Sequence, residues 1–275
     1  MRYPIKTLGI GGIIDVTVNL IKNHFSLFMG IMLTLYLPFV VILNVVLLAT
    51  QPELSPEPTQ EEMQAFTSQM AVYGITAGGL GILFALLIQP LATASATYAV
   101  ANEYLGIPTT LGDSVRQGLR SFLSVAWVWI LTYILCMLGL LALIIPGVYL
   151  FFSFSLASEV VVIEKIKGWA ALKRSYRLMR HPGSRNVTKM FGLMMVVWMI
   201  SFGINLIAGL IPEIYVRLAI SILVQSVLMI FTTTAFVVFY FSARCEAENF
   251  DLAFLASSIG ADEPVETDDV WEAAR

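Results

Sequence analysis

Six apolar segments, most of them long enough to cross a bilayer as helix, constrain this chain more than any other feature. A hydrocarbon core about 30 Å thick needs about 20 predominantly apolar residues at a rise of 1.5 Å each. The segments run over residues 25–50, 72–101, 121–145, 148–163, 187–211 and 215–243. Of 275 residues, 58% are hydrophobic and 13% charged, against about 25% charged in soluble domains. No soluble core of this size hides so many apolar side chains, so lipid is the expected solvent. The expected fold class is all-α: a polytopic membrane protein whose six transmembrane helices form three hairpins. Residues 1–256 form the membrane domain, and residues 257–275 read as an acidic, disordered tail. The first segment reads as a retained span rather than a signal peptide, since it is too long and lacks a small-residue cleavage site.

Charge is segregated between the segments. Lys165, Lys167, Lys173, Arg174, Arg177, Arg180, Arg185 and Lys189 fall in one 25-residue window that holds no acid, and they are half of the chain's 16 Lys and Arg. The tail Asp262–Glu272 holds six of its 19 acids. Summed over alternate connections, 15 bases lie on one side and Arg217 alone on the other. The positive-inside rule then places both termini in the cytoplasm. The eight bases of the window are the candidate site for anionic lipid headgroups.

A short amphipathic pattern precedes each hairpin. Ile14, Val18 and Ile21 share one helical face; so do Leu111, Val115 and Leu119; so do Trp169, Leu172, Tyr176 and Met179. Each hairpin is therefore expected to follow an interfacial helix, apolar side toward lipid and bases toward headgroups, in a threefold pseudo-repeat. Pro146-Gly147 predicts the turn between spans three and four, with glycine supplying a positive φ. Pro90 predicts a kink in span two. Gly74 and Gly78 form a close-packing motif. Thr59 and Glu62 match a capping box after the Pro-rich stretch 52–58.

Catalytic chemistry has no foothold. The only histidines, His24 and His181, lack flanking acids, and no phosphate-binding, dinucleotide or zinc-protease motif occurs. Cys136 and Cys245 have no metal-site spacing and read as buried thiols. The expectation is a non-enzyme with no metal, no cofactor and no nucleic-acid partner. Polar residues within the spans are more informative, because they are costly in hydrocarbon. Gln89, Asn205 and Gln225, with Asn44, are expected to hydrogen-bond between helices or to line a polar cavity. Glu159 demands a basic partner or a wet cavity. Arg174 or Arg177 could supply the partner and so tether the basic segment to the bundle.

The runs Leu143-Ile-Ile-Pro-Gly-Val-Tyr-Leu150, Ser155-Leu-Ala-Ser-Glu-Val-Val-Val-Ile-Glu164 and Ala170-Ala-Leu-Lys-Arg-Ser-Tyr-Arg-Leu178 carry a resemblance, as does the ending Phe239-Tyr-Phe-Ser-Ala-Arg244 with Asn249-Phe-Asp-Leu252. Over residues 120–255 the chain resembles the glycerophosphoryl diester phosphodiesterase membrane domain family and related bacterial integral membrane proteins. In that family the phosphodiesterase chemistry belongs to a separate barrel with paired histidines and metal-binding acids. This sequence contains no such barrel, so the resemblance implies a membrane module without the enzyme.

Two functions follow as expectations. The first is a non-catalytic scaffold, assembly partner or lipid-binding accessory of the bacterial cytoplasmic membrane. It would contact anionic lipid and work as a homo-oligomer or beside a membrane partner. The alternative is a transporter or channel for a small or lipid-like solute, with Gln89, Glu159, Asn205 and Gln225 facing a cavity between the hairpins.

Overall fold

The structure, a computed structural model, describes residue 3, residues 5–52 and residues 59–250. Six helices are long and apolar enough to span a membrane: Phe25–Thr50, Gln60–Leu105, Leu111–Ala142, Ile144–Ile163, Asn186–Gly209 and Ile214–Glu248. No strand occurs among the described residues. The chain is a multi-pass all-α membrane protein. The expected disordered tail and most of the Pro-rich stretch lie outside the described residues.

The helices pack tightly at one end and splay at the other. The tight end carries the basic segment. There span two reads Ala92-Thr-Ala-Ser-Ala-Thr-Tyr-Ala-Val-Ala101, small enough for neighbouring backbones to approach, and Ala92, Ser95, Ala99 and Ala101 are fully buried. A Cβ on Gly118 of span three would sit 1.9 Å from the Ser95 hydroxyl oxygen, so only glycine fits that crossing. Farther along, the first 24 residues of span two, Gln60–Leu83, bury nothing. A Cβ on Gly74 or Gly78 would meet nothing within 4 Å, so the expected packing motif meets no other described part of the chain.

Span two starts at the predicted capping box. Thr59 Oγ1 accepts from the Glu62 N–H at 3.3 Å, and Glu62 Oε2 accepts from the Thr59 N–H at 2.9 Å. The helix then runs to Leu105, a length of about 69 Å at 1.5 Å per residue and roughly twice a hydrocarbon core. The kink expected at Pro90 takes the form of a π-helical segment, Phe84–Ile88, just ahead of it. Pro38 stands in the same relation to Met32–Tyr36 in span one. Proline has no N–H for the carbonyl four residues back, and widening the turn ahead of it relieves that mismatch.

Two of the amphipathic segments form separate helices that bury one face against protein. The leading helix, Ile10–Asn23, buries Ile13, Val16, Thr17 and Leu20; it packs on span six, and the Leu8 N–H donates to the Ser242 hydroxyl at 2.8 Å. The basic helix, Trp169–Met179, buries Ala171, Leu172, Ser175, Leu178 and Met179. The segment before span three is no separate helix. Nothing like His24 or Pro182 interrupts it, so it continues into Leu111–Ala142.

The reversal between spans three and four is at Leu143, whose backbone is extended (φ −165°, ψ 146°). Pro146 falls in the first turn of the next helix, where its missing N–H is no loss. Gly147 is helical there and does not supply the predicted positive φ. Its hydrogen is needed for another reason: a Cβ would come within 2.6 Å of the Leu140 backbone nitrogen. Span four is itself broken into Ile144–Ser153 and Ala157–Ile163.

Candidate functional site

The break in span four builds the site. Between Ser153 and Ala157 the helical hydrogen-bond ladder lapses, leaving backbone groups in need of partners. Ser175 of the basic helix supplies two: its hydroxyl donates to the Ser153 carbonyl at 2.9 Å and accepts from the Leu156 N–H at 3.2 Å. The neighbouring Arg174 fixes the basic helix in place. Its Nε donates to both oxygens of Glu164, at 3.0 and 2.8 Å, and its two terminal nitrogens reach Glu248 at the end of span six. Burial opposes the guanidinium charge, but the hydrogen bonds to Glu248 and Glu164 outweigh it and hold the Arg174 pKa above the ordinary arginine value.

Glu164 is nearly inaccessible, with 1% of its side chain exposed. It also accepts from the Tyr240 hydroxyl at 2.7 Å. Arg244 donates to Glu248 at 3.1 Å and lies 4.3 Å from the Phe250 ring centroid. Lys189 pairs with Glu246 at 2.8 Å. Glu164, Arg174, Ser175, Tyr240 and Arg244, all within the runs quoted for the family resemblance, therefore meet in one clamp. His24 makes a comparable tie between spans one and two, with Nδ1 3.0 Å from a Glu103 oxygen.

This clamp corrects the expected pairing of Glu159. Arg174 goes to Glu164 and Glu248, and Arg177 is exposed. Glu159 instead faces a cavity of about 540 Å³ to which every span contributes: Tyr36, Gln89, Trp129, Glu159, Ser201 and Gln225 line it in chain order. Glu159 is 2% exposed, and its Oε2 atom has no hydrogen-bond partner. Beside it, the Trp129 indole donates to the Ser158 hydroxyl at 2.7 Å. Both π-helical segments adjoin this space, Met32–Tyr36 through Tyr36 and Phe84–Ile88 through the next residue, Gln89. A break in one helix and a widened turn in each of two others thus surround the same volume.

Three of the four intramembrane polar candidates, Gln89, Glu159 and Gln225, share this cavity. Asn205 does not. Its amide donates to the Ser201 carbonyl four residues back at 2.8 Å, and it borders a separate, shallower hollow with Trp198 and Phe202. Asn44 likewise bonds its own helix, at Val40. Interhelical pairing, the simpler expectation for these amides, is therefore not what Asn44 and Asn205 do. Trp129, Ser158 and Tyr36 carry no signal in the sequence, because each reads as an ordinary residue of an apolar helix.

Of the eight basic candidates, Lys165, Lys167, Lys173, Arg177, Arg180 and Arg185 are exposed, whereas Arg174 and Lys189 are consumed by ion pairs. Arg180 lies against the Tyr149 and Tyr176 rings, about 5 Å from each centroid. Lys165 adopts a left-handed backbone (φ 58°) directly after Glu164. That conformation is unfavourable for a residue with a Cβ, and it turns the chain from span four toward the basic helix. No group of three or more His, Cys, Asp or Glu able to hold a metal occurs among the described residues. Cys136 and Cys245 are both buried. Compared with family models, curated proteins and solved structures, the chain finds no match.

Proposed function

We propose that the chain is a transporter or carrier that binds a small or lipid-like amphipathic solute in the cavity between its hairpins. The observation that carries this reading is the convergence of Gln89, Glu159 and Gln225 on one volume lined by all six spans. Polar groups kept only for helix association would pair between helices; these line one cavity instead. The volume lies within the 300–1,000 Å³ typical of small-molecule sites. Broken or widened helices at a binding cavity are also what a carrier needs, because irregular backbone is tolerated at membrane depth where it lines such a space.

A photoreactive long-chain alcohol tests the reading. Mapped by mass spectrometry, its adducts are expected to concentrate on cavity residues and to fall when Thr93→Trp or Thr232→Trp fills the space. Even labelling over all lipid-facing helix surfaces, unchanged by either substitution, would remove the proposal.

The scaffold or lipid-accessory reading draws on a different observation, the six exposed bases of residues 165–185. In this proposal they rest on anionic headgroups at the cytoplasmic face of a bacterial inner membrane, each adding about 1 kcal/mol. Flotation with anionic liposomes checks it: changing Lys173, Arg177 and Arg180 to Gln should weaken the preference for anionic over zwitterionic vesicles.

A further inference from the structure

We infer that the solute is an organic cation with an apolar body, its cationic centre held at Glu159. This rests on the cavity reading above and names the class of molecule the cavity takes. The carboxylate is the first argument. Glu159 lies at membrane depth, 2% exposed, with Oε2 unpartnered. The bases that might have neutralised it are engaged elsewhere, Arg174 with Glu164 and Glu248, Lys189 with Glu246. A buried carboxyl without a base is costly to ionise, and a cationic ligand offsets that cost.

The walls are the second argument. Among the described residues the cavity lining contains no Lys, Arg or His, and Glu159 is its only carboxyl group. An anionic head would find no base among these residues to offset its own charge and would make ionising Glu159 costlier still. Aromatic residues complete the surroundings: Tyr36, Trp129, Tyr133, Phe154, Trp198 and Phe236 all line the space. Ring faces attract cations, most strongly in sites shielded from water, and they also accept an apolar body. A single carboxylate among aromatic walls is thus selective for charge and permissive for shape. Gln89, Ser158 and Gln225 offer polar contacts that do not alter the sign of the site.

Two probes of like size and opposite charge test this. Tetraphenylphosphonium and tetraphenylborate share one shape, so their difference reports the sign of the site. The full chain is reconstituted in zwitterionic nanodiscs, and binding is measured against empty discs to subtract partition into lipid. Saturable binding of the phosphonium, at least tenfold weaker borate binding, and a tenfold or greater loss of phosphonium affinity in Glu159→Gln are expected. Glu159→Asp, which keeps the charge, should retain more affinity than Glu159→Gln. Equal binding of the two ions, or unaltered phosphonium affinity in Glu159→Gln, would overturn the cation assignment and leave the cavity reading standing. Binding of neither ion, together with photolabelling that ignores the cavity-filling variants, would overturn both. If Glu159→Gln does not fold, the two-ion comparison on the unaltered protein still decides the matter.

Discussion

The Ser175 hydroxyl donates to the Ser153 carbonyl at 2.9 Å across 22 residues of sequence, and so closes one side of the break in span four. The same oxygen takes the Leu156 N–H on the other side. One fully buried hydroxyl on the basic helix therefore stands in for missing rungs of a helical ladder. Because Ser155, Ser158 and Glu159 follow directly, the geometry of the cavity wall depends on a residue outside it.

Ser175→Ala leaves both backbone groups without this partner. Buried polar groups left unsatisfied cost about 1–3 kcal/mol each, so a loss of about 2 kcal/mol or more is expected in denaturant titration of the detergent-solubilised protein. Ser175→Thr keeps the hydroxyl and should lose less. Equal losses for the two variants would show that space rather than hydrogen bonding matters at this position.

Arg174 and Glu164 should prove coupled. Removing one partner of a buried ion pair costs about 3–5 kcal/mol, and Arg174 serves two carboxylates at once, which the point charge of lysine does less well. Arg174→Gln is expected to destabilise by about that amount, and Arg174→Lys by an intermediate one. With Glu164→Gln already in place, the further cost of Arg174→Gln should shrink by more than about 1 kcal/mol in a double-mutant cycle. Strictly additive effects would dissolve the clamp as described.

Much of this architecture is legible in the sequence, and what is not has identifiable physical causes. Span one begins and ends where its apolar run does, at Phe25 and Thr50, because polar residues flank it on both sides. Gln89, Glu159 and Gln225 stand out because polar atoms in hydrocarbon need a reason. The partner of Arg174 is less legible. The cost of a charge in hydrocarbon points to Glu159, but the lapse at Phe154–Leu156 resets the phase of every residue after it, and no proline or glycine announces that lapse. Pro38 carries the same signal as Pro90 and was legible in principle. Gly147 misled for a different reason: a glycine that lets two helices touch looks, in sequence, like a glycine that lets a chain turn.

That last distinction can be measured. Gly147 and Gly78 are both helical glycines in apolar spans, yet a Cβ at Gly147 would collide with Leu140 while one at Gly78 would meet nothing within 4 Å. Forcing a methyl group into a filled contact costs about 1–3 kcal/mol, whereas alanine is intrinsically better than glycine in a helix by about 1 kcal/mol. Gly147→Ala should therefore destabilise the protein, with spans three and four pushed apart. Gly78→Ala should be neutral or slightly stabilising in the monomer. If Gly78→Ala proves as damaging as Gly147→Ala, the open face of span two is covered by something other than lipid, and a crosslink from a cysteine placed at position 75 would show whether the cover is a second copy of this chain.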